Sequence, residues 1–173
     1  MDMKRYLALC LLCVVDLAYA EPSQPLIWYN GDVPIKIHAH PGSCASAQPR
    51  QGMPEFSRKE GFYLYRTKPG SDCLPVYSSA PDLNKSALYV QDSGVIVQFK
   101  PNQTAERIQR WLTQHGMEGE PLALPASFLI KKYQGRAVNG IEAIQLAEWM
   151  RDSKDIGVVF AQPNWRERAA TRL

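Results

Sequence analysis

Little in this sequence equips it for catalysis. Between Gly94 and Trp165 there is no cysteine, a single histidine (His115) and no glycine-rich loop ahead of a helix, so a thiol nucleophile, a histidine pair and a phosphate cradle are all wanting there. One-sided charge is lacking too: 20 Lys and Arg stand against 17 Asp and Glu, a formal net charge of +3. Nucleic-acid binding calls for a clustered basic face, and only Lys131–Lys132 and the stretch from Arg166 to Arg172 concentrate basic residues. Nor does the apolar run from Tyr6 to Val15 suffice for a membrane span, being about half of the roughly 20 residues required, with Asp16 closing it. No enzyme, no cofactor and no nucleic-acid partner are expected.

That short apolar run reads instead as an export signal. Lys4 and Arg5 precede it, and Ala18-Tyr19-Ala20 supplies the small residues a signal peptidase accepts. Residues 1–20 are therefore expected to be a cleaved signal peptide, cut after Ala20, leaving about 150 residues in the periplasm or medium, enough for one domain with an extension. Cys10 and Cys13 would leave with the signal, so Cys44 and Cys73 remain. In an oxidising compartment a disulfide between them is the default, contributing roughly 3 to 4 kcal/mol in the chain-entropy view. Free or intermolecular thiols are the competing reading. Neither cysteine sits in a CxxC arrangement that would lower its pKa.

Composition divides the rest near residue 87. Nine of the 13 prolines fall between Pro22 and Pro81, mixed with glycines, and no helical period emerges there. Residues 21–87 are read as a turn-rich extension with short strands near Ile35–His38 and Gly61–Arg66, stapled by Cys44 and Cys73, with Glu21 to Trp28 a free arm. The aromatic run Phe62-Tyr63-Leu64-Tyr65 has strong β-propensity. His38 and His40 would share one strand face, but no third ligand is suggested, and no metal site is expected.

Regular signals begin after residue 88. Val95, Val97 and Phe99 alternate with Ile96, Gln98 and Lys100, the period of a strand with one buried face. A helix is predicted from Thr104 to His115, with Ile108, Trp111 and Leu112 on one stripe and Gly116 at its end. Strands near Glu120–Leu124 and Ser127–Tyr133 follow. Asn139 and Glu142 form a capping-box pattern ahead of a second helix whose apolar face is Ile141, Ile144, Ala147 and Met150. A last strand from Ile156 to Ala161 is ended by Pro163. This order predicts an α+β, ferredoxin-like βαββαβ module over residues 88–165, an antiparallel sheet with both helices on one face. The other face, to which residues such as Ile96, Leu129 or Val159 would point, is left open, for cover by the N-terminal region or for docking another protein.

Two segments carry a resemblance. Gly94-Val95-Ile96-Val97-Gln98-Phe99-Lys100-Pro101, followed by a helix, and the closing Val158-Val159-Phe160-Ala161-Gln162-Pro163-Asn164-Trp165 resemble the propeptide domains of subtilisin-like serine proteases, whose last strand ends in Val-x-x-Ala-x-Pro-Asn-aromatic. The likeness spans roughly Val90 to Trp165, and no protease follows in this chain, which makes it similar to external chaperones of kexin-like serine proteases. The resemblance implies a partner: a subtilisin/kexin-like serine protease, bound 1:1 in trans, helped to fold and mature, then held inhibited. It implies that the sheet face and last strand, with Val159, Gln162, Pro163, Asn164 and Trp165, lie against the protease, and that the tail of residues 166–173 enters the active-site cleft through Ala169, Ala170, Thr171, Arg172 and Leu173. A basic-preferring pocket would take Arg172; product geometry would favour Leu173. A stand-alone secreted subtilase inhibitor without a folding role is the alternative.

Overall fold

The computed structural model describes residues 25–166 apart from 68, 71 and 154. Its first half consists of strands: β1 (Leu26–Asn30), β2 (Val33–Ser46), β3 (Glu55–Lys59), β4 (Phe62–Tyr65) and β5 (Leu74–Ser78). Then come β6 (Leu88–Phe99), α1 (Ala105–Gln114), β7 (Met117–Pro121), β8 (Ser127–Tyr133), β9 (Arg136–Ala137), α2 (Gly140–Asp152) and β10 (Val158–Trp165). The strands join in one sheet of path β3-β4-β2-β5-β6-β8-β7, with β1 on β2, β9 on β8 and β10 on β6.

The expected ferredoxin-like βαββαβ module with a turn-rich extension is therefore not the fold. Among the described residues the molecule is mostly antiparallel sheet, ten strands with only two helices. The reason lies in β6, whose 12 residues reach well upstream of the visible alternation. Its start pairs with β5 through Val76↔Val90, Tyr77↔Tyr89 and Ser78↔Leu88, so the N-terminal strands continue the sheet. The prolines that suggested turns fall where a ladder tolerates them. Pro41 lies inside β2 where its register with β5 shifts between Ala39 and Cys44, and a bulge absorbs the missing donor. The anticipated free arm also differs: Leu26 to Trp28 belong to β1, paired to β2, and Trp28 is buried.

Smaller expectations shift as well. β7 starts and ends three residues earlier than the pattern suggested, and β10 runs through Pro163 to Trp165, as an edge strand permits. In α1, Thr104 caps the helix by accepting from the Arg107 N–H, and Ile108, Trp111 and Leu112 are buried. In α2, the Asn139 side chain makes no cap bond; Glu142 pairs instead with Arg136 at 2.9 Å. Ile141 is exposed, while Ala143, Ile144, Leu146, Ala147 and Met150 are buried.

Both helices cover one face of β10-β6-β8-β7. There Val95, Val97 and Phe99 of β6, Phe128 and Ile130 of β8 and Ala161 of β10 meet Ile108, Leu112, Leu146 and Met150 in the largest core. A second core lies between β2, β4, β5 and the start of β6, including Ala45, Phe62, Leu64, Val76, Leu88 and Val90. The two are joined by Trp28, Ile37, Tyr77 and Ile144, with Trp165 and Tyr89 against them.

Candidate functional site

Alternation along a strand sends neighbouring side chains to opposite faces, so the residues between the core positions form a second surface. Ile96 of β6 lies opposite Leu129 of β8 and Gln162 of β10, while Gln98 lies opposite Phe160. All five are only partly buried, in contrast to Val95, Val97 and Ile130, which are fully buried under the helices. Towards β7 the same face turns polar, with Lys131 bridging Glu120 at 2.7 Å. The register of β10 on β6 shifts between Val158 and Phe160, and Val159 at that bulge is 53% exposed. The result is an apolar stripe, Leu129–Ile96–Phe160, that neither helix covers.

The end of β10 is held differently. The Trp165 ring packs against Trp28 at 5.3 Å, Tyr77 at 5.7 Å and Tyr89 at 5.7 Å between centroids. The Asn164 side-chain amide donates to Ser93 O at 3.2 Å. Arg166 then donates its backbone N–H to Val90 O at 2.8 Å and pairs its guanidinium with Asp92 at 3.0 Å. These contacts anchor the end of β10 and Arg166 to the start of β6.

Of the residues singled out from sequence, Val159 and Gln162 thus reach the uncovered side. Pro163 is buried opposite Val95 on the helix side, and Trp165 is spent on internal packing. Ala169, Ala170, Thr171, Arg172 and Leu173 lie outside the described residues, as does the signal segment. Cys44 and Cys73 form the disulfide, with Tyr65 against it. Sequence reasoning missed Phe160 on this face, and it missed Asp92; register, which decides these, leaves no local signature.

Of the two histidines, His40 makes a side-chain hydrogen bond within the fold. His40 Nε2 is 2.6 Å from Ser78 Oγ, whose proton goes to Ala80 O at 2.6 Å; the ring nitrogen is therefore the donor, and Ser78 is fully buried. This arrangement makes no activated nucleophile. Burial first, and the neighbouring His38 second, hold His40 below the usual histidine pKa. Among the described residues no group of three or more His, Cys, Asp or Glu is placed to hold a metal ion, and no helix is long and apolar enough to cross a membrane. No protein-family model, curated protein or solved structure matches the chain.

Proposed function

We propose that this protein is a dedicated chaperone, exported to the periplasm or secreted, that binds a subtilisin- or kexin-like serine protease 1:1, assists its folding and then holds it inhibited. The observation that supports this reading is the uncovered Leu129–Ile96–Phe160 stripe, continuous with a β10 strand whose exit is clamped at Arg166. A partly exposed apolar sheet face marks a protein-docking surface, and in this reading the residues that follow Arg166 in the sequence add a strand to a substrate cleft. Residues 169–173 are the cleft-occupying segment in this account, and the disulfide accords with an oxidising compartment.

Folding assistance and inhibition follow from one interface. A ligand that binds native protease and not its unfolded chain stabilises the fold by about 4 kcal/mol at a thousandfold excess over Kd. Refolding denatured subtilisin-family protease with and without the protein tests the reading. Recovered activity, measured after the bound protein is degraded, should rise several-fold in its presence, and deletion of residues 169–173 should weaken inhibition. Equal recovery in both refolding arms, with inhibition retained, would instead favour an inhibitor without a folding role.

A further inference from the structure

The start of α2 lacks the cap its sequence offers. Asn139 stands at the N-cap position, yet its side chain makes no cap bond, and Glu142, which would complete a capping box, is paired with Arg136 at 2.9 Å. The first amides of a helix have no acceptor within it and point back past the cap residue. Asn139 also lines a pocket of about 400 Å³, together with Leu74, Pro75, Gln91, Asp92 and Ser93 among others. Gln91 is only 1% exposed. Its side-chain oxygen accepts from the Tyr77 hydroxyl at 3.4 Å, while Nε2, on the other branch of the amide, is buried with no acceptor among the described residues. A buried donor left unpaired costs about 1 to 3 kcal/mol. Tyr77 does not line the pocket, so the amide turns its oxygen away from that space and Nε2 towards it. The same pair adjoins the helix start, since a Cβ built on Gly140 would stand 4.0 Å from the Tyr77 hydroxyl.

We propose that this pocket binds a carboxylate, seated between Gln91 Nε2 and the first amides of α2. Charge and donors favour this ligand. Asp92, the acid among the described lining residues, is already neutralised: it accepts from the Ser93 N–H at 2.8 Å and pairs with the Arg166 guanidinium at 3.0 Å. Glu142 is likewise matched by Arg136. What remains is the Gln91 amide and the Asn139 amide at the positive end of a helix, where anions are held. No Lys or Arg stands among the described lining residues, so the doubly charged phosphate that arginine recognises is less well served than a singly charged carboxylate. A free small acid and an acidic side chain of a protein segment both carry that group. The site stands on this chain alone and does not depend on a protease partner.

Nuclear magnetic resonance on the isotope-labelled full chain tests the site. The probes are sodium acetate, sodium chloride at equal ionic strength, and a peptide blocked at both ends and carrying one aspartate. Acetate or the peptide should shift the Gln91 side-chain amide and the Gly140, Ile141 and Glu142 backbone amides along a saturating curve, and chloride should not. Saturation by acetate supports a free acid as the ligand; saturation by the peptide alone supports an acidic protein segment. Asn139→Asp puts a carboxylate at the cap, an exposed position where Asp is among the favoured residues. The fold should hold, and binding of either probe should weaken about tenfold or more, as competition for donors to a charged group implies. Gln91→Met, which removes the buried donor, should weaken it too; should that variant fail to fold, the unaltered chain and Asn139→Asp decide. Shifts that never saturate with either carboxylate, shifts matched by chloride, or unweakened binding by Asn139→Asp would overturn the proposal.

Discussion

Tyr77 illustrates how a single side chain ties the two cores. It is buried between Trp165 and Gln91, to whose side-chain oxygen it donates at 3.4 Å, and burial pushes its pKa up from 10.0 to about 12. The unfolded chain therefore ionises this phenol first. Its share of stability is complete below about pH 10 and is lost as pH rises towards 12, by about 2 to 3 kcal/mol. Urea unfolding across that range should show the loss, and Tyr77→Phe should flatten it. His40 works in the opposite sense: its lowered pKa leaves stability full above the ordinary histidine range and reduces it as pH falls below about 6.5.

Among the elements, β6 carries the most consequence, since β5, β8 and β10 all pair with it. Its backbone turns at Gly94, where φ is 97° and an added Cβ would sit 2.6 Å from Ile130 O. Both the left-handed conformation and the backbone contact oppose any side chain. Gly94→Ala should cost about 3 kcal/mol in denaturant unfolding, a loss typical of strained or overpacked sites. The helices and the strands after Gly94 were legible because their apolar residues recur at regular spacing. Val95, Val97 and Phe99 indeed point at the helices. The N-terminal strands were not, because Pro34, Pro41 and Pro75 interrupt β2 and β5 and because pairing such as Tyr77↔Tyr89 is a long-range choice that leaves no periodic trace. The same gap hid part of the site: the sequence points to Ile96, Leu129 and Val159 on this face, but Phe160 joins it through the β10 bulge, and Trp165 leaves it for the aromatic cluster.

At the scale of the molecule, the first five strands extend the sheet sideways and brace β10 through Trp28 and Trp165. The helices seal one face, and the opposite stripe stays available. Replacing partly exposed residues there should leave folding almost intact, since surface changes away from special contacts usually fall within about 0.5 kcal/mol, yet a charge in the centre of a docking surface opposes association. Inhibition titrations of subtilisin-family proteases, kexin-like enzymes included, with the unaltered chain and with Leu129→Asp/Phe160→Asp test the central claim most directly. The account predicts 1:1 inhibition by the unaltered chain and at least a hundredfold weaker inhibition by the double variant at unchanged unfolding midpoint; inhibition of none of these proteases, or equal inhibition by both proteins, would contradict it.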